Sequence, residues 1–299
     1  MKRSITSNSM PLLRALYAFL IAIAVLWAMP RKAHAQLYVV QPGAGIVSEY
    51  HATTGQLIKA RFIAVVNAGF IAIVAKAGIA YLVRDSPLTI STYDATTGAA
   101  IDASFIKLGF GFVGGLAVKD NTLFVALPGI DTVGAYDATT GAAINANFLT
   151  GVNEIGGLAV FRSVSEQKEF LFVTDRNEES SGTVGKYDAE TGFTINRHFI
   201  TGLHSPTGLA VTGNTLFVAN TADGTVGKYD ANTGAAINAG FITGLGEPVG
   251  LAVNDNTLFV ASPNSGTVGA YDATTGAAIN RHFITGLHFP TGIAVKTEE

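Results

Sequence analysis

The chain contains no cysteine, which excludes disulfides, thiolate zinc sites and a cysteine nucleophile. An exported domain without disulfides has to be held together by core packing, and 299 residues are enough to bury a sizeable core. Charge is scarce as well. Only 14% of residues are Asp, Glu, Lys or Arg, yet 48% are hydrophobic, which rules out a disordered chain. Strong helix formers give way to Gly, Val, Ile and Phe, the composition of an all-β protein. Neither a nucleophile elbow nor an HExxH pattern occurs, so two common hydrolytic designs are missing.

The one extended apolar run, Ala15 to Met29, follows Lys2, Arg3 and Arg14, and precedes Ala33-His34-Ala35. That is the layout of a secretory signal peptide cleaved before Gln36, and it predicts a secreted or periplasmic protein. Fifteen helical residues reach about 22 Å, short of the roughly 30 Å hydrocarbon core, so no transmembrane span is expected after cleavage. Arg31 and Lys32, between run and cleavage site, keep an uncleaved anchor as the alternative. Residues 1–35 carry five basic and no acidic side chains, leaving 14 Lys and Arg against 22 Asp and Glu. A remainder so acidic is unsuited to nucleic acid or anionic lipid.

Against this sparse background one pattern dominates. Thr225–Ile237 returns almost unchanged as Thr267–Ile279, with further copies starting at Thr183 and Thr132. Worn copies surround Tyr93 and Tyr50. The anchoring tyrosines are Tyr50, Tyr93, Tyr136, Tyr187, Tyr229 and Tyr271, spaced 43, 43, 51, 42 and 42 residues apart. A period of this length signals an array of supersecondary units.

One unit, Pro206 to Leu245, reads as four short strands, A to D. The A–B turns carry small or polar pairs that tolerate positive φ: Gly213-Asn214, Asp120-Asn121 and Asp255-Asn256. Every C–D turn ends in glycine, at 55, 98, 141, 192, 234 and 276, and all but one open with aspartate, His51 being the exception. Strand D carries a phenylalanine in each copy, Phe62, Phe105, Phe148, Phe199, Phe241 and Phe283, suited to filling the space between units.

These features predict a six-bladed β-propeller with four antiparallel strands per blade, over residues 36–299 after the 1–35 leader. The ends are complementary: the first blade lacks strand A, and the chain finishes with a strand A lacking its blade. Residues 292–295 should therefore pair with 37–40 and close the ring. The second blade, Phe70 to Ile106, is badly worn, and the fourth is irregular, with a long A–B turn predicted over Phe161–Phe170.

The pattern Pro-x-Gly-Leu-Ala-Val, Leu-Phe-Val-Ala-Asn, Thr-Val-x-x-Tyr-Asp and Thr-Gly, clearest over residues 206–234 and 248–276, resembles the NHL repeat and the wider class of six-bladed bacterial propellers. The resemblance covers essentially the whole repeat region, but its motifs specify the blade and not an activity. The usual aspartate closing strand B survives only as Asp85 and Asp175.

Strand direction alternates, so B–C loops and D–A connections share one face. That face carries the residues that differ between copies, and divergence where packing demands none points to a binding surface. Its candidates are Asp85, Phe112, Glu154, Asp175, His204, Asn220, Glu247, His288 and Phe289. The expectation is an exported, non-catalytic scaffold without a cofactor, binding a protein, carbohydrate or small molecule. The alternative is a metal-dependent hydrolase. Glu154, Asp175, Asn220 and Glu247 would supply oxygen ligands to calcium or zinc, with His204 as a base; this resembles lactonase-type propellers, which hold one metal in the central channel. A third reading, a wall or matrix component, predicts self-association.

Three weaker signals are set aside. Asp175, Asn177 and Glu179 alternate like the start of a calcium loop but lack its full length and closing glutamate. Gly109–Gly114 matches G-x-G-x-x-G, yet a strand and not a helix follows. Arg197-His198 and Arg281-His282 read as solvent-facing pairs on outer strands.

Overall fold

The computed structural model describes residues 35–64, 73–85, 87–109, 111–176 and 182–296. The leader, with its cleavage site at residues 33–35, lies outside them except for Ala35, as do Phe70, Asn177 and Glu179. Six four-stranded antiparallel sheets form the fold, and among the described residues no helix is long and apolar enough to cross a membrane. Blade 1 joins Ile293–Lys296 to Gln36–Gln41, Ile46–His51 and Leu57–Ala64. Blade 2 is Ile73–Lys76, Ile79–Asp85, Leu88–Asp94 and Ala100–Gly109; blade 3 is Leu116–Lys119, Thr122–Leu127, Thr132–Asp137 and Ala143–Thr150. Blade 4 is Ile155–Ser163, Lys168–Asp175, Gly182–Asp188 and Thr194–Leu203. Blade 5 is Pro206–Thr212, Thr215–Asn220, Thr225–Asp230 and Ala236–Ile242; blade 6 is Gly250–Asn254, Thr257–Ser262, Thr267–Asp272 and Ala278–Ile284.

The ring closes as the complementary ends require. Leu37 lies opposite Val295 and Tyr38 opposite Ala294, and the pairing continues as the Val40 N–H donates to the Gly292 carbonyl at 2.8 Å.

Two local interactions shape each C–D turn. In every blade but the first, where His51 stands, the opening aspartate accepts backbone N–H groups two and three residues on, as Asp94 Oδ1 does from Thr96 (2.9 Å) and Thr97 (2.7 Å). The glycine that ends the turn holds left-handed backbone in all six copies, φ +70° to +77°. The structure adds a reason that the sequence does not show: a Cβ there would strike the strand D phenylalanine carbonyl of the preceding blade, Phe62 for Gly98 and Phe241 for Gly276. One glycine thus serves both turn geometry and the blade junction.

Inside each blade an aromatic residue of strand B packs on the strand D phenylalanine. Tyr38–Phe62, Tyr81–Phe105, Phe124–Phe148, Phe172–Phe199, Phe217–Phe241 and Phe259–Phe283 have ring centroids 5.0 to 5.9 Å apart. The two tyrosines also tie blades together: the Tyr38 hydroxyl donates to the Ala95 carbonyl, and Tyr81 to that of Ala138 at 2.7 Å. Burial pushes both hydroxyls above the ordinary tyrosine range. Where strand B carries phenylalanine in blades 4 and 5, a strand C lysine reaches the same turn of the next blade. Lys186 Nζ donates to the Asn232 carbonyl at 3.1 Å, and Lys228 Nζ to Ala273 at 3.0 Å. Lys186 is buried, its ammonium 4.0 Å from the Phe170 ring centroid.

The fourth blade corrects one expectation. Phe161–Phe170 is not a long turn: Phe161 pairs with Phe170, Arg162 with Glu169 and Ser163 with Lys168, leaving only Val164–Gln167 to reverse the chain. The polar stretch continues the alternation of the strands, and Phe161 stacks on both Phe170 and Phe172.

Strand D is the outer edge of each blade. It exposes one isoleucine per blade: Ile58, Ile101, Ile144, Ile195, Ile237 and Ile279. Its register against strand C shifts at a bulge in every blade. In five blades an Asp or Asn side chain there accepts the N–H two residues on: Asp102, Asn145, Asn196, Asn238 and Asn280, at 2.8 to 3.1 Å. Arg197, His198, Arg281 and His282 are exposed on this wall.

Candidate functional site

Strand A lines the propeller axis because its residues pack edge to edge with the next strand A. Glycine makes this possible: a Cβ on Gly157, Gly208 or Gly250 would collide with the backbone carbonyl of Thr207, Val249 or Thr291 in the neighbouring blade. An aliphatic residue follows, after glycine in five blades and after Ala72 in blade 2. Ile73, Leu116, Leu158, Leu209, Leu251 and Ile293, one per blade, all line a single axial cavity of about 350 Å³. That volume lies at the small end of ligand pockets, roughly 300–1,000 Å³.

The cavity wall is asymmetric. On the side of blades 3 and 4 the glycine pairs 114–115 and 156–157 contribute no side chains, between Phe112, Val113, Ile155 and Arg176, which do line it. On the opposite side stand Thr207, Thr221, Val249 and Thr291. Two of these hydroxyls are tied down: Thr207 and Thr221 Oγ1 are 2.8 Å apart, and Thr221 donates to the Pro248 carbonyl at 2.8 Å. In blade 4 the Gly157 N–H donates to Thr174 Oγ1 at 2.6 Å. Arg176, just beyond strand B of blade 4, is the one charged residue lining the cavity among the described residues.

The structure separates the nine sequence candidates. Phe112 lines the cavity and is half exposed. Glu154, Glu247 and Phe289 occupy one equivalent rim position, with left-handed backbone at φ +43°, +54° and +54°; they are exposed and do not line the cavity. His204 is exposed and hydrogen-bonds Asp223 through Nδ1 at 2.7 Å. His288 is exposed, and its backbone N–H donates to Gln41 Oε1 at 3.0 Å. Asp175 closes strand B of blade 4, partly buried, opposite Ile155 and Thr183. Asn220 is buried behind the mouth; its Nδ2 lies 3.4 Å from Thr225 Oγ1, and its Oδ1 has no hydrogen-bond partner. The backbone of Asp85 pairs with Leu88, while its side chain lies outside the described residues.

Among the described residues no three His, Asp or Glu side chains come together as a cation site would require, so Glu154, Asp175 and Glu247 are not assembled into one. What sequence reasoning missed is the cavity itself and Arg176. A signal was present: the position after strand B is proline in three blades (Pro42, Pro128, Pro263) but Arg176 in the fourth and Thr221 in the fifth.

The fold and axial cavity define the class: a closed six-bladed β-propeller. Comparison with known proteins agrees. Residues 180–279 match the family described as "Outer membrane protein assembly factor BamB". A propeller chain from the crystal structure of a nidogen/laminin complex superposes with a TM-score of 0.74 at 14% identity, covering 88% of this chain and 98% of that one. Identity that low speaks for the fold alone. No curated protein matches the sequence. The propeller is therefore established, while the NHL type of repeat is not.

Proposed function

We propose that the chain is an exported, non-catalytic scaffold that engages a partner through the face formed by its B–C loops and D–A connections. The observation that carries this reading is the apolar axial cavity opening on that face, with Phe112 and Phe289 standing 50% and 45% exposed at its rim. Exposed aromatic side chains beside a concave apolar surface are the usual anchors of recognition. The match of residues 180–279 to a family described as an outer membrane protein assembly factor supports the reading, and together with the leader it favours a periplasmic location. The propeller neighbour was likewise solved in a protein complex.

The test compares partner capture by cross-linking in the periplasm for wild type, a Phe112→Ser/Phe289→Ser variant, and Ala277→Arg on the opposite face. Capture lost in the aromatic variant and kept in Ala277→Arg supports the proposal; the reverse pattern overturns it. A stoichiometric calcium or zinc ion together with lactone hydrolysis would overturn the non-catalytic part.

A further inference from the structure

We infer that the axial cavity binds a small amphipathic carboxylate, its alkyl or aryl body lying along the aliphatic ring and its anionic end meeting Arg176. The inference deepens the binding-face reading above and rests on it.

The body of the ligand is set by the walls. Six Leu and Ile side chains and a band of glycines line the cavity, a predominantly apolar wall that suits an apolar guest. The glycine pairs of blades 3 and 4 create room on one side, and Arg176 lies over that side. A Cβ on Gly156 would sit 3.2 Å from Arg176 Cδ, so the arginine stem crosses the glycine at the mouth.

The head of the ligand is set by charge. Among the described residues lining the cavity there is one cation and no acid. Arg176 Nη2 donates to Ser205 Oγ at 3.2 Å, and among the described residues no carboxylate lies within ion-pair distance of the guanidinium. A guanidinium has five N–H donors in a planar fork matched to a carboxylate, and among the described residues only Ser205 Oγ takes one of them. The hydroxyls of Thr207 and Thr221 are already tied to one another and to the Pro248 carbonyl, so they do not compete for that role. A cationic amphiphile would meet repulsion at the mouth, and a neutral one would gain no charge-assisted bond from the exposed guanidinium.

Isothermal titration calorimetry with the full chain tests this using decanoate, decylamine and acetate. One equivalent of decanoate should bind, with no binding of decylamine or acetate. Arg176→Met should weaken decanoate at least tenfold without lowering Tm, Arg176→Lys should retain part of the affinity, and Val249→Phe should abolish it by filling the cavity. No heat with decanoate, equal affinity in Arg176→Met, or binding that survives Val249→Phe would each overturn the inference. Co-sedimentation with phosphatidylglycerol vesicles, lost in Arg176→Met, would move the anion to a membrane surface and also overturn it. Failure here alongside partner capture that depends on Phe112 and Phe289 retires the carboxylate and keeps the binding face. Decanoate binding with capture indifferent to those residues does the opposite.

Discussion

At Gly276 one missing Cβ serves two ends at once. The backbone sits at φ +77°, and the Phe241 carbonyl of the preceding blade occupies the space a side chain would need. Left-handed backbone alone costs a non-glycine residue about 1–2 kcal/mol. Gly276→Ala should therefore lose more than that, because blades 5 and 6 must also move apart. Gly213 is the control: it too is left-handed, at φ +51°, but a Cβ there meets nothing within 4 Å. Gly213→Ala should stay within the conformational cost, and urea midpoints for the two variants separate the terms. The same double duty governs the strand B aromatics. Tyr38 and Phe124 look like equivalent core residues in sequence, yet the Tyr38 hydroxyl reaches across to the next blade.

At the scale of the turn, the C–D aspartates make stability depend on acidity. Hydrogen bonds from Thr97 and Thr96 hold the Asp94 carboxyl below its ordinary 3.8, and bonds from Thr140 and Thr275 do the same for Asp137 and Asp272. At Asp188 and Asp230 burial pulls upward, but the bonds from Thr191 and Thr233 leave a net lowering. A carboxyl depressed in the folded state binds its proton less readily than in the unfolded chain. Its contribution is thus complete above the unfolded value and is lost as pH falls through the folded one. Wild type should exceed Asp272→Ala in urea midpoint at neutral pH, and the two should converge as pH falls below 3.8. These turns were legible in sequence because their chemistry is local: an aspartate, a threonine three on, a glycine four on. The hairpin of blade 4 was not. Arg162, Lys168 and Glu169 make that stretch look like a loop, and only its partner strand and the buried Phe161 and Phe170 show that it is paired.

For the whole molecule, four residues hold the circle shut. Removing Ile293–Glu299 would bare the strand Gln36–Gln41 and forfeit about 1.5–3 kcal/mol from the Ile293 side chain alone. The truncated chain should unfold in more than one step and elute as oligomers in size-exclusion chromatography, whereas a monomer with one sharp transition would show that closure contributes little. Closure could be read from the sequence because the two chain ends each lack what the other has. The cavity could not. Which loop positions vary is visible in a repeat, but which way each side chain points is decided only when six inner strands meet on one axis. Thus Phe112 faces the cavity, whereas Glu154, its counterpart one blade on, faces solvent. The outer wall carries a last consequence. Each perimeter strand presents an isoleucine to passing molecules but breaks its own ladder at a bulge, in five blades with an Asp or Asn holding an amide in place. Neighbours can lean on such a wall, but its broken ladder disfavours the edge-to-edge strand addition from which fibres grow.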